Sequence, residues 1–288
     1  MGVALALAAA LAYGLSDFVG GVASRRTSPW PVALLAGVAG TAGAIVLGLT
    51  LDGDPTPAHL AWGALSGVGS GLGSAFLYRG FATGRMGVVA PVSAVGAALL
   101  PVVVGLALGE RPELLVWLGI ALAFPGIWLV ARVPETADEG PADPRGQEAP
   151  GSTATGLTDG VLAGVGFGLL FVALGQVPDG AGYWPLAAGQ ATALVSIVVL
   201  ATALRVSYVP TATTEWWGAA AGVLATVAVL AFLLATQTGL LTVAAVLTSL
   251  YPAFTVLLAA AVLREHVFRP QAAGLVLCGV AVALVAAA

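Results

Sequence analysis

The sequence predicts an all-α polytopic membrane protein, with ten transmembrane helices forming two inverted five-helix repeats. Three observations carry this. Only 8% of the 288 residues are charged, where a soluble domain carries about 25%. Mean hydropathy is +1.01, and the apolar residues fall into ten stretches of about twenty, the length that crosses a hydrocarbon core. The two halves match at tryptophan, proline, glycine and glutamate at nearly one offset. A soluble globule of this composition lacks polar surface to face water, a disordered chain is far more polar, and a single cysteine, Cys278, excludes a disulfide scaffold.

The first stretch, Val3 to Ala23, has no positive n-region and leads into further apolar spans, so it reads as a retained helix rather than a signal peptide. The next four are Trp30 to Leu51, Leu60 to Thr83, Val88 to Gly109 and Leu114 to Val133. Turn-forming segments RRTSP, DGDPTP, ATGRMG and GERPE separate them. In the third span Gly63, Gly67, Gly71 and Ala75 recur every four residues, giving a face on which another backbone can approach closely. A phosphate-binding glycine loop needs a preceding strand, which this helix lacks. Pro91 and Pro101 in the fourth span free backbone carbonyls, which reads either as a packing kink or as a helix that bends to line and gate a pathway.

Residues 134–156 are rich in proline, glycine and acids and read as a disordered linker between a first repeat, 1–133, and a second, 157–288. The second repeat spans Leu157 to Val177, Tyr183 to Leu204, Trp216 to Gln237, Leu241 to Leu263 and Gln271 to Ala288. Gly160, Gly164 and Gly168 repeat the small-residue face, and Pro252 puts a bend in the ninth span. The fifth and tenth spans are nearly free of polar groups, which suits buttresses or a homodimer contact.

Shifted by 154 residues, Trp30-Pro31-x-Ala33 falls on Trp184-Pro185-x-Ala187. Shifted by 155, Trp62-Gly63-Ala64 falls on Trp217-Gly218-Ala219, and Glu110 falls on Glu265. Matches at such residues at a constant offset mark an internal repeat. Five spans is an odd number, so the second repeat enters the membrane upside down. That architecture places a site near the midplane, where the halves meet. With the N-terminal side called A and the opposite side B, nine arginines fall at side B (Arg25, Arg26, Arg79, Arg85, Arg132, Arg145, Arg205, Arg264 and Arg269) and only Arg111 at side A. The positive-inside rule makes side B cytoplasmic.

Among polar residues, Asp17 stands out as an acid well inside a span, about one turn from Tyr13 on the same helix face. A carboxylate at that depth must pair, protonate or face water. It reads as a proton-coupling or cation-binding group, or as a structural partner for an arginine. Arg79, at similar depth in the third span, is the expected partner; the alternative is an arginine snorkelling to the headgroups. Tyr78, Ser93, Gln190, Thr248, Ser249 and Tyr251 could each donate a hydrogen bond to a substrate or to a carbonyl one turn back. Asp159 is grouped with the linker acids. His59 and His266 lie in loops, and no HExxH motif or metal-ligand spacing occurs, so no catalytic residues, metal or cofactor are expected. No basic patch with interleaved aromatics suggests nucleic acid. The expected partners are a small-molecule substrate and the lipid bilayer.

Ala12-Tyr13-Gly14, Tyr78-Arg79-Gly80-Phe81-Ala82, Leu108-Gly109-Glu110-Arg111-Pro112 and Leu263-Arg264-Glu265-His266 stand in an order and spacing that resembles the EamA-type branch of the drug/metabolite transporter superfamily. The resemblance covers the chain apart from the linker. It implies a secondary carrier, often an exporter of amino acids, other metabolites or drugs, with a central cavity lined mainly by spans one to four and six to nine; the expected location is the inner membrane. Glu110 and Glu265, at loop edges, are read as gate or helix-turn residues. The chain departs from the family pattern at Tyr13, where tryptophan is common, in the second span, which lacks an arginine, and at Arg264, where glycine is usual. The resemblance also implies cytoplasmic termini, against the arginine distribution, which is the orientation adopted.

Overall fold

A computed structural model describes residues 1–24, 26–83, 86–131 and 153–288. It is helical throughout the spans: α1 (Gly2–Ser24), α2 (Pro29–Thr50), α3 (Pro57–Thr83), α4 (Met86–Ala107) and α5 (Leu114–Ala131) form the first repeat. The second comprises α6 (Thr153–Leu174), α7 (Trp184–Ala203), α8 (Trp217–Thr238), the pair α9 (Leu241–Thr248) and α10 (Tyr251–Val262), and α11 (Arg269–Ala286). Ten segments are long and apolar enough to cross a membrane, with α9 and α10 together making the ninth. Most of the acidic segment lies outside the described residues. Its last part does not: α6 begins at Thr153, four residues before the span expected from hydropathy, and carries Asp159 inside it.

The packing obeys the repeat. Packing of α3 against α6 and α7 is mirrored by packing of α8 against α1 and α2, and α4 on α6 is mirrored by α9 and α10 on α1. The halves therefore interdigitate instead of sitting side by side. Glycine makes this possible at equivalent places. A Cβ at Gly63 would overlap the Pro185 carbonyl oxygen, and one at Gly218 would overlap that of Val32. Gly67 meets Gly189 in the same way as Gly222 meets Ala36. On α6, Gly160, Gly164 and Gly168 face Val92, Gly96 and Leu100 of α4. Close backbone approach replaces the hydrophobic drive that lipid does not supply. The polar-poor α5 and α11 pack on each other through Gly119, Gly126 and Gly274, with Cys278 buried against Gly126.

The prolines behave differently. Despite Pro91 and Pro101, α4 is continuous. The ninth span is interrupted at Ser249-Leu250, and Pro252 sits in the first turn of the new helix. Proline there lacks the N–H that would continue the ladder, and a helix start tolerates that loss. The break falls midway through the span. The acidic turns also correspond: Gly109 has φ 94° and Arg264 has φ 57°, so the arginine occupies a left-handed position that its repeat mate fills with glycine.

Candidate substrate cavity

A cavity of about 240 Å³ lies between the repeats, lined from α1, α3, α4, α6, α7, α8 and α10. Its side A end is sealed. Leu174, Leu186 and Phe232 are fully buried there, and the Phe171 and Phe232 rings pack at a tilt with centroids 4.6 Å apart. Loops from the two halves also meet at side A, where the Asp54 backbone amide donates to the Gly180 carbonyl at 3.0 Å, and within the second half the Gln237 side chain of α8 donates to the Pro178 carbonyl at 3.2 Å. Toward side B the lining reaches Ser74, Leu77 and Asp17, which are partly or fully exposed. The cavity opens on that side.

Asp17 is seven residues from the end of α1, about 10 Å along the axis. Its side chain is exposed to the cavity and has no hydrogen-bond or ion-pair partner among the described residues. Tyr13 and Tyr251 join it on the lining, with ring centroids 6.1 Å apart. Tyr251 is placed there by the interruption of the ninth span, since it is the first residue of α10. Tyr13 also meets Phe171 edge-on at 6.5 Å, linking the two tyrosines to the aromatic floor. Gln190 lines the cavity from α7 and donates to Thr226 Oγ1 at 3.1 Å.

The expected pair of Asp17 with Arg79 does not form. Arg79 Nε donates to Asp159 Oδ1 at 3.0 Å, and its guanidinium lies 4.8 Å from the Phe76 ring centroid. The reason is packing. α3 packs its Gly69 and Gly73 against α6, the long Arg79 side chain reaches Asp159 on that helix, and α1 stands across the cavity. Asp159 is 1% exposed and belongs to α6, not to the linker. With this carboxylate neutralised by Arg79, Asp17 is the one charged side chain on the described cavity lining.

Other residues singled out from sequence are dispersed. Ser93 is buried and donates to the Ala90 carbonyl of its own helix at 2.9 Å. Thr248 is buried and donates to the Ala6 carbonyl at 3.4 Å. Ser249 is buried at the helix break, and its hydroxyl finds no partner among the described residues. Pro91 is buried in α4, outside the lining. The side chain of Tyr78 lies outside the described residues. Glu265 sits in the turn after α10, where its amide donates to the Ala259 carbonyl at 3.3 Å. The sequence reading missed a row of serines. Ser66, Ser70 and Ser74 recur every four residues on α3, between its two glycine sides, and all three line the cavity. Ser66 donates to Gly63 at 2.6 Å, while Ser70 and Ser74 are half-buried and face the cavity. The i, i+4, i+8 spacing was the available signal.

Glu110 works at a helix terminus. Its carboxylate accepts the Leu241 amide at 2.5 Å and the Thr242 amide at 2.9 Å, capping the start of α9 from the turn after α4. A helix N-terminus presents unpaired N–H groups and partial positive charge, so an anion is favoured there. Gly105 leaves room for the carboxylate to fold over. The contact joins the two repeats at the closed side. Replacing Glu110 with alanine is expected to lower stability by about 2 kcal/mol and to make an α9 cysteine probe more reactive from side A. Differential scanning fluorimetry and labelling rates check both, and an unchanged melting temperature would contradict the capping role.

Comparison with known proteins agrees with this architecture. The sequence pattern of the EamA-like transporter family matches residues 1–132 and again residues 154–287. A protein known from a crystal structure is similar with a TM-score of 0.72 over 98% of this chain and 95% of its own, at 18% identity; that likeness is one of fold. No curated protein matches the chain. The family pattern covers nearly the whole sequence twice, once for each five-helix repeat, and the chain belongs to the EamA-like transporter family, whose members carry small molecules across membranes.

Proposed function

We propose that this protein is a secondary active transporter that exports a small metabolite or drug-like compound across the cytoplasmic membrane by alternating access, coupled to protons through Asp17. The observation that carries this reading is a cavity between inverted repeats, sealed at side A, with a lone carboxylate toward its open side. Inverted repeats let the two halves rock so that the seal passes from one side to the other. The arginine excess at side B orients the opening to the cytoplasm, where an exporter loads. A volume of about 240 Å³ is smaller than sites for drug-sized ligands, about 300–1,000 Å³, and favours a metabolite. Tyr13, Tyr251, Gln190 and the α3 serines would orient the substrate. Asp17, accessible and without a partner among the described residues, would exchange a proton as the cavity changes sides.

The test is counterflow. Compounds that raise the melting temperature of the purified protein are supplied radiolabelled to proteoliposomes preloaded with the unlabelled compound. Transient accumulation, dependent on pH, is expected. Stabilisation by ligands with no counterflow would instead identify a membrane receptor or scaffold.

A further inference from the structure

We propose that the cavity selects small organic cations, meaning a protonated amine joined to an apolar or aromatic body, over zwitterions and anions. The inference rests on the transporter reading above and names its substrate class. The charge pattern is the first ground. Asp17 is the one charged side chain on the described lining, and the nearest arginine on α3 is committed to Asp159. An amino acid or an organic acid entering this cavity would bring a carboxylate that meets no cation on the described lining, and desolvating an unpaired carboxylate is strongly unfavourable. An ammonium group meets a carboxylate that has no other partner among the described residues.

The shape of the polar and aromatic surface is the second ground. Tyr13 and Tyr251 present rings beside Asp17 at the helix break, and aromatic faces attract cations. Ser70 and Ser74, which line the cavity, carry hydroxyls that can accept the remaining ammonium N–H groups. Below them the lining turns apolar, through Phe167, Leu170 and Phe171 down to Leu174. One end of the cavity is therefore anionic and the other aromatic. A molecule with an ammonium at one end and a ring at the other fits in one orientation, with the ring toward the side A seal.

Three probes of one shape separate the possibilities: phenethylammonium, phenylalanine and 3-phenylpropionate, measured by calorimetric titration on the purified full chain at neutral pH. Phenethylammonium is expected to bind at least about tenfold more tightly than either of the others. Asp17→Asn is expected to weaken it about 100-fold, while Asp17→Glu, tested beside it, retains part of the affinity; circular dichroism and gel filtration confirm that both variants fold. Equal or tighter binding of phenylalanine or phenylpropionate, or full affinity in the folded Asp17→Asn protein, overturns the proposal. The transporter reading fails separately, if phenethylammonium binds but a radiolabelled non-permeant relative, trimethylphenethylammonium, shows binding without counterflow in proteoliposomes.

Discussion

Asp17→Asn is expected to reduce substrate counterflow about 100-fold and to remove its dependence on pH. The size follows from the surroundings. Asp17 lines the cavity from within the membrane thickness and has no protein counter-charge among the described residues. Asparagine keeps the volume and can still hydrogen-bond, so the loss isolates charge. Truncating one partner of a buried charged contact costs about 2–5 kcal/mol, and 100-fold corresponds to about 2.8 kcal/mol. The pH effect has a definite sign. The wild-type group must shed its proton to take up a cation, so loading should improve as pH rises at the loading side, and the asparagine variant has no proton to shed. Initial rates at several pH values, with protein quantity matched, check this. An asparagine variant that transports with the wild-type pH profile would remove Asp17 from the coupling mechanism.

Gly63→Leu is expected to abolish accumulation of folded protein. A Cβ at this position meets the backbone of Pro185 on α7, which cannot rotate away as a side chain could. Overpacking costs about 1–3 kcal/mol in ordinary cores, and a leucine between two backbones exceeds that range because α3 and α7 must separate. The separation would also part the repeats, since this contact runs between them. Gly279→Ala on α11 is the control, because nothing lies within 4 Å of its Cβ position, and it is expected to be neutral. Fluorescence-detected gel filtration of the two variants gives the comparison. A monodisperse Gly63→Leu protein at wild-type yield would contradict the close backbone contact.

Much of the fold was legible because membrane insertion imposes simple rules. Helix length, the offset at Trp30/Trp184 and Gly63/Gly218, and the glycine spacing each respond to one constraint that a linear sequence displays. The candidate site was only partly legible. Asp17, Tyr13, Gln190 and Tyr251 stood out as polar groups in apolar helices, and the structure brings all four to one cavity. Arg79 was assigned the wrong partner because depth alone says nothing about which helices touch; α3 packs on α6, so Asp159 is within reach. Asp159 itself was hidden by the acidic stretch before it, which blurred the start of α6. Glu110 showed its position in a turn but not its target, because the α9 amides are 131 and 132 residues away in sequence. The repeat does not extend to the site: Asp17 corresponds at the 155-residue offset to Val172 and Ser70 to Ala225. Symmetry supplies the moving frame, and the chemistry within it is unique.

In the proposed transport cycle the resting cavity is reached from one side of the membrane, the side bearing the arginines. Cys278 is the only native cysteine, so a Cys278→Ala background accepts single probes. Ser74→Cys reports the cavity, Ser207→Cys an exposed side B loop, and Thr56→Cys an exposed side A position. A membrane-impermeant maleimide is applied to inside-out and right-side-out vesicles without substrate. Ser74→Cys is expected to react from the same side as Ser207→Cys, the side bearing the arginines, and to be protected where Thr56→Cys reacts. Labelling of Ser74→Cys from the Thr56→Cys side, or from neither, would contradict it.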